Sequence, residues 1–492
     1  MRDTVRAKTS RALKWLARLA KRCLLAGMSR DNMMRALRSN VFLSEAPALA
    51  CVLAISAIVF LSGAFQAGFL SDDFDLLARA GTASVWAPLE RHHFSPLLTA
   101  LFKLGSAGYL PAWKWRLIAW LAHAVNTVLV HRMARIGLRQ SAPMALCLAF
   151  LFALNPAGYE ALAWSSAIGY ALVSVPIFIA LNVALSGAFS RRAAWLLAGL
   201  QLAAYLAWDW GILLAPLAGV AAFMRGLSGR KPAPGPVFGL MLPAGIVWVL
   251  GLAAKLLILP GMGYPAQPFW NILSLQHLAA SPLVALLPNM TVHAYQSPGG
   301  MLAAACLLAA LAWAAVRLPE ARLLAVLFAL CQAPHVLFSA PQSRYFYLPS
   351  AFLYGIALLL FFKLPRPRFA ALLAALLAAS SLWWAMERSL LWRSAWQQAQ
   401  MLRERILALP EAGSGLVIVN LPDSYGPEGL IWRPYVWRNG MPGIGRSFER
   451  VNTPGAPFTW EAGPVPVLPR DSIPARYPGA AIYEAVHSRH GS

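Results

Sequence analysis

Long stretches of this chain carry no charge, and that constrains its fold more than any other feature. The run from Ala46 to Leu70 contains no Asp, Glu, Lys or Arg. A helix needs roughly 20 apolar residues to cross the hydrocarbon core of a bilayer, and several runs here reach or approach that length. They are continuous rather than alternating, which favours helices over a transmembrane β-barrel. Composition agrees: 59% of the 492 residues are hydrophobic, 12% are charged and the mean hydropathy is +0.57. A typical soluble domain carries about 25% charged residues. The chain reads as an all-α polytopic membrane protein.

The net charge of +23 raises the question of a nucleic-acid partner. The basic residues, however, are spread between the apolar runs, where they act as topology signals and as contacts to anionic headgroups. The expected partner is the lipid bilayer, not nucleic acid. Of the five cysteines, Cys51, Cys147, Cys306 and Cys331 fall in or at apolar runs and Cys23 in the basic N-terminal segment. None lies in the polar C-terminal part, so no structural disulfide is expected there, and the spacing suggests no zinc site.

Residues 1 to 44 form a basic segment in which Leu13, Trp15, Leu16, Leu19 and Leu24 interleave with arginines and lysines. That pattern predicts an amphipathic helix on an anionic membrane surface. The basic region is too long for a cleaved signal peptide, so the N-terminus is expected in the cytoplasm and the first span is expected to be retained. The apolar run of residues 193 to 224 would be about 48 Å long as one helix at 1.5 Å per residue, too long for a core of about 30 Å. Dividing it at Asp209-Trp210-Gly211 gives two short spans and places Arg225, Arg230 and Lys231 on the cytoplasmic side. The count comes to about eleven spans. Every inside loop then carries at least two basic residues. Residues 261 to 298 hold no Lys, Arg, Asp or Glu and read as an outside interfacial or re-entrant element; a further crossing within it stays open. The membrane domain is assigned to residues 45–386. Residues 387–492 are assigned to a small extracytoplasmic appendage, α/β or irregular. Within it Gly415 to Asn420 predicts a buried strand and Ile431 to Trp437 a second one.

Three carboxylates, Asp72, Asp73 and Asp75, arrive just where the first apolar run ends. Acids at a membrane boundary are costly unless water, a cation or a substrate meets them. The parity of the spans gathers them on the outer face with Arg91, His92, His93, Tyr159, Glu160, Asp209, His277, His293, Arg344 and Tyr345. Carboxylates, imidazoles and an arginine on one face suit transfer of a group from a phosphate-linked donor to a hydroxyl or amine. A carboxylate can take the acceptor's proton, and an arginine can hold a leaving phosphate. Asp75 is expected to face solvent, and Asn126 and His131 to serve helix packing.

In the order of these elements the chain resembles the GT-C superfamily of integral-membrane glycosyltransferases. The closer likeness is to the O-mannosyltransferases that carry tetratricopeptide repeats and to their bacterial relatives. The acidic pair of that family, in the first outside loop, corresponds to Asp72-Asp73. His93-Phe94-Ser95-Pro96-Leu97 is similar to a His-x-x-x-Arg-Pro-Leu-like stretch without its arginine. Asn126 and His131 match an Asn followed by a His five residues on. Asn155 to Ala163 is similar to a His-Pro-x-x-x-Glu-Ala-Val-Ala stretch with Asn for His, and Arg344 to Pro349 matches Arg-Tyr-x-Tyr-Leu-Pro. The family's Lys-Glu pair is Trp208-Asp209 here, and no tetratricopeptide repeats follow.

The resemblance implies a polyprenyl-phosphate-linked sugar as donor, an envelope glycan, lipid or protein as acceptor, and inversion at the anomeric carbon. It implies Asp72 or Asp73 as general base or acceptor-orienting group, Glu160 as a second acid, and Arg344, with His92 or His93, as donor-phosphate ligand. Arg91, Tyr159, Asp209 and Tyr345 join them as substrate contacts. Nothing in the sequence demands a cofactor, and a divalent metal is possible near Asp72 and Asp73. Composition suggests a bacterial inner membrane, with the N-terminus cytoplasmic and the C-terminus periplasmic. Two other readings stand beside this one: a transporter or flippase, and a GT-C-like envelope assembly protein without catalysis.

Overall fold

The computed structural model describes residues 40–70, 72–88, 93–187, 189–227, 234–259, 286, 297–338, 343–409, 416–419, 449–451, 469–476, 478 and 480–484. The expected N-terminal amphipathic helix, almost all of the 261–298 element and the second strand expected at Ile431 to Trp437 lie outside these residues, as do Arg91, His92, His277 and His293.

Helices dominate: α1 (Asn40–Ser62), α2 (Asp72–Thr82), α3 (Pro96–Ser106), α4 (Ala112–Arg132), α5 (Ala142–Ala153), the single-turn α6 (Glu160–Ala163), α7 (Gly169–Ser186), α8 (Arg191–Ala207), α9 (Leu214–Leu227), α10 (Pro234–Ile258), α11 (Pro298–Arg317), α12 (Pro319–Phe338), α13 (Pro349–Phe362) and α14 (Pro367–Ala408). A helix stands in each place read as a span. Six helical segments among the described residues, 44–62, 112–137, 165–186, 235–258, 298–317 and 367–408, are long and apolar enough to cross a membrane. The chain is a multi-pass membrane protein. Local chemistry sets the breaks. Gly187 closes α7 in the left-handed region at φ 73°, where glycine has no Cβ to clash. Ser190 caps α8, its hydroxyl accepting from Ala193 N at 3.2 Å, which satisfies an otherwise orphaned donor. The divided run appears as α8 and α9 joined by a 3-10 turn at Asp209–Leu213.

The last helix differs from the expected end of span 11 near Met386. α14 continues without interruption to Ala408, for 42 residues. Nothing between Pro367 and Pro410 stops it, because no glycine or proline intervenes. At 1.5 Å per residue it is about 63 Å long, roughly twice the bilayer core. Its distal half passes over the segment that links α1 to α2. A Cβ on Gly63 would lie 2.0 Å from the Ser389 carbonyl oxygen, and one on Gly68 would lie 2.2 Å from Trp396 Nε1. Glycine is the residue that fits both approaches.

Beyond α14, β1 (Leu416–Val419) is the central strand of a parallel sheet of order β2-β1-β3, flanked by β2 (Glu449–Val451) and β3 (Ala481–Glu484). Leu416 and Ile418 join the main helical core, while Val417 and Val419 pack with Val451 and Ile473. Both faces of β1 are covered, which explains its unbroken apolar sequence.

Candidate active site

The acidic pair opens α2, and its two members differ sharply. Asp73 has no exposed surface, whereas Asp72 is half-buried. Leu70 N–H donates to Asp73 Oδ2 at 3.0 Å and Ser166 N–H donates to Oδ1 at 2.8 Å. The carboxylate therefore ties the start of α2 to the 3-10 turn at Ser165–Ala167. Arg116, buried on α4, donates to the Gly68 carbonyl at 2.8 Å and faces the same acid electrostatically. Burial pushes Asp73 up to about 6, against the pull of Arg116 and the two N–H donors, and the charge of Asp72 adds to the push. Asp75, half-buried, pairs with Arg79 four residues on at 2.7 Å.

Glu160 and Arg344 form the second unit. Glu160 Oε1 accepts from the Arg344 guanidinium, and Oε2 accepts from the Arg344 backbone N–H at 3.2 Å. Both side chains are largely buried, at 7% and 12% exposure. The guanidinium lies over the rings of Trp164 and Tyr345, at 4.9 and 5.2 Å from the centroids. Local polar bonds align the two loops. Asn155 Oδ1 accepts from Ala157 N at 3.0 Å, its amide donates to Ser350 Oγ at 2.7 Å, and Ser343 Oγ donates to the Ala157 carbonyl at 2.5 Å. Asn155 is thus a turn-forming residue.

The third unit centres on Asp209. Its Oδ2 meets His93 Nδ1 at 2.5 Å and its Oδ1 meets Lys255 Nζ, from α10, at 2.7 Å. Burial alone would raise the Asp209 carboxyl, but the hydrogen bond and charge of His93 and the charge of Lys255 hold it below its ordinary value. His93 stacks on Trp208, with centroids 4.6 Å apart. Tyr170 packs on Trp208, Trp210 and Tyr345, so an aromatic layer joins this unit to the Arg344 loop. A small cleft opens between α2, α3 and Trp208, with His93, Ser95, Thr99 and Ser166 on its wall. Ser166 also holds Asp73, which places the cleft beside the acidic pair.

The structure therefore brings Asp73, Glu160, His93, Asp209, Arg344 and Tyr345 to one end of the helical bundle. Tyr159 is buried against Phe60, with ring centroids 6.2 Å apart, on the side of Arg116. Asn126 donates to the Ala171 carbonyl at 2.9 Å and to Tyr347 Oη at 3.1 Å, a packing role. No group of three or more His, Cys, Asp or Glu side chains able to hold a metal ion occurs among the described residues. Sequence reasoning missed Arg116 and Lys255. Lys255 is the one charge in an otherwise apolar helix, and that isolation was the available signal; Arg116 stands two residues from Lys114 and carries no such signal.

No family model matches this chain, and neither does any curated protein. Solved structures do. An oligosaccharyltransferase from Archaeoglobus fulgidus, solved as a complex with Zn and sulfate, is 14% identical with a TM-score of 0.43, over 76% of this chain and 60% of that one. ArnT from Cupriavidus metallidurans is 15% identical with a TM-score of 0.44, over 87% of this chain and 90% of its own; it is also known bound to undecaprenyl phosphate. The arabinofuranosyltransferase AftD from Mycobacteria is 17% identical with a TM-score of 0.41, and the match covers 31% of its length. The chain thus spans less than two thirds of the first and last of these proteins. At these identities and TM-scores the likeness assigns the chain neither a family nor an activity.

Proposed function

We propose that this chain transfers a sugar from a polyprenyl-phosphate donor to a hydroxyl- or amine-bearing acceptor at the extracytoplasmic face of a bacterial inner membrane. The observation that carries the reading is the convergence of three ionic units, from separate elements, on one end of an otherwise apolar bundle. Charge in such a place is retained for function far more often than for stability. The orientation rests on Arg132, Arg135, Arg139, Arg191 and Arg192, which cluster at the opposite ends of their helices and mark the cytoplasmic side. The basic segment to residue 44 is then cytoplasmic, and the C-terminal region lies outside with the site.

The acids divide the work. Asp73 is a positioning group, because it is fully enclosed and both of its oxygens accept backbone N–H bonds. Asp72, half-buried and adjacent, is the base. It takes the proton of the acceptor as the acceptor's lone pair attacks the anomeric carbon. The bond from that carbon to the phosphate oxygen breaks, the phosphate leaves with the electron pair, and configuration inverts. A sugar–phosphate bond is already activated, so proton removal, alignment and charge stabilisation suffice. Glu160 and Arg344 fix the rim of the site, with Tyr345 as an aromatic wall.

The test compares wild type, Asp72→Asn and Asp73→Asn in membranes lacking the native protein, following labelled sugar from a polyprenyl-phosphate pool into envelope glycans and proteins. Transfer should fall at least 100-fold in Asp72→Asn at equal protein level, in the range lost with a general base. Equal transfer by wild type and Asp72→Asn would remove that residue from the mechanism.

A further inference from the structure

α14 is roughly twice as long as the bilayer core is thick, and its distal half keeps a buried face. Ala385, Arg388, Trp392, Ala395, Ala399 and Ile406 are buried, at spacings of three, four and seven residues that put them on one side of the helix. A helix standing free in water would be exposed all round. This one leans on the chain that leads from α1 into α2. Ser389, Trp396 and Arg403 recur at seven-residue intervals, so they drift by only about 20° per step around the axis and span about 21 Å along it. They meet that chain in its own order. Ser389 Oγ donates to the Val59 carbonyl at 2.7 Å, near the end of α1. Trp396 packs on Gly68 so closely that a Cβ there would overlap its Nε1. The Arg403 guanidinium lies over the ring of Phe74, 5.8 Å from the centroid, in the first turn of α2.

The covered chain has little to hold itself in place. Between α1 and α2 it forms the 3-10 turn Ala64–Gln66 and carries two glycines, which adopt many backbone conformations. Gly68 is where the contact reaches the acid. Trp396 occupies one side of it, and its carbonyl accepts from Arg116 at 2.8 Å. The same Arg116 faces Asp73. Two residues on, the Leu70 N–H donates to Asp73 Oδ2 at 3.0 Å. A displacement of Gly68 therefore moves a donor of Asp73 and its cation together. The same face of α14 also reaches toward the second ionic unit. The Tyr159 hydroxyl lies toward Ser389, Ala64 and Arg116, and the next residue is Glu160, which holds Arg344.

We propose that the distal half of α14 is a strut that fixes the acidic pair at the outer end of α1, and that Trp396 is a positioning residue acting through Gly68. The strut makes the C-terminal region part of the working site, since β1 follows α14 in the chain and Leu416 and Ile418 join the main helical core. The geometry stands by itself; the effect on rate rests on the sugar-transfer reading.

A paired substitution tests the contact. The purified full chain in nanodiscs is compared as wild type, Gly68→Ala, Trp396→Leu and the double variant. Gly199→Ala, where an added Cβ meets nothing within 4 Å, is the control. Three quantities are read: amide exchange across residues 64–75, thermal unfolding, and sugar transfer as kcat and KM. Gly68→Ala should exchange about tenfold faster over that segment, the mark of local opening. Its kcat should fall about tenfold or more with KM within about twofold, as expected when aligned groups are misplaced and substrate binding is kept. The double variant relieves the overlap and should recover most of both. Sites that do not touch would add their losses instead. If Gly68→Ala does not fold, return of folded protein in the double variant supports the contact, and continued loss overturns it. The proposal is also overturned if Gly68→Ala behaves like Gly199→Ala, or if the losses of the single variants add. The expected exchange pattern in a wild type that moves no sugar keeps the strut and removes the sugar-transfer reading. Sugar transfer with unchanged exchange in every variant keeps the enzyme and removes the strut.

Discussion

The two ends of α1 and α4 handle buried acid in different ways. At the start of α1, Glu45 pairs with Arg135 at 2.8 Å and with His131 at 2.9 Å, and Arg135 also donates to the Gln140 carbonyl at 2.8 Å. One carboxylate there ties two long helices, and a wider π-helical turn at Met133–Gly137 completes the join. At the other end Asp73, Glu160 and Asp209 sit on first turns and 3-10 turns between the spans. Each is met by partners from separate elements. The ionic chemistry is similar, but the first arrangement clamps regular helices, while the second fixes short segments that could otherwise take many positions. Placing irregular backbone and charge together at membrane depth is expensive, so the second end is where function is expected.

The sharpest way to break this comparison is at Glu160 and Arg344. Replacing either one by Ala leaves its partner charged and largely enclosed, a loss of about 3 to 5 kcal/mol. Folded protein recovered from membranes should drop steeply in both single variants. The double variant Glu160→Gln, Arg344→Gln removes both charges, and should recover much of the folded protein while transfer stays lost. Recovery of transfer along with the fold would reduce this pair to a clamp like that at Glu45.

pH sharpens the comparison through Asp73. Its folded-state value of about 6 lies above the ordinary 3.8. Between those values the folded chain holds a proton that the unfolded chain has released. Stability from this group is therefore complete below about pH 4 and is lost as pH rises through about 6, on the order of 3 kcal/mol in all. Transfer should move in the opposite direction. Protonation weakens the acceptor bonds to Leu70 and Ser166 that align Asp72, so the rate should fall as pH drops through about 6. Thermal unfolding and transfer rate measured across pH 4 to 8 on the same preparation should show opposite slopes. Parallel slopes would mean that Asp73 has no part in aligning the site.

Much of this arrangement was legible in the sequence because its signals are collective. The spans follow from uninterrupted apolar runs, and the break at Asp209 follows from a run too long for one crossing. The strand at Leu416–Val419 follows from a short apolar run in a polar region. The partners were not legible, because a partner is a property of the packed state. Nothing near Lys255 says that Asp209 will lie beside it, and the donor to Asp73 Oδ1 is a backbone N–H of Ser166, which no side chain advertises. Asp72 and Asp73 look equivalent in a sequence, yet successive helical residues point about 100° apart, so that one faces the interior and the other does not. The continuation of α14 past Met386 follows from the absence of any glycine or proline before Pro410, a signal separate from the hydropathy that marks a span.

The smallest effect is expected at Glu45, and it tests the comparison from its quiet side. Glu45→Gln removes the shared carboxylate but keeps the shape of the side chain. His131 loses its carboxylate partner. Arg135, at 24% exposure, retains the Gln140 carbonyl and can reach water. The loss should be about 1.5 to 3 kcal/mol of stability, the scale of a lost hydrogen bond to a charged group. Transfer per folded molecule should not change. Sites with no shared partner act independently, and more than a dozen residues of α1, at 1.5 Å each, separate Glu45 from the acidic loop. Thermal unfolding and transfer normalised to folded protein would be measured together. A tenfold fall in normalised transfer would mean that α1 carries strain from one end to the other, and that the clamp and the site form one mechanical unit.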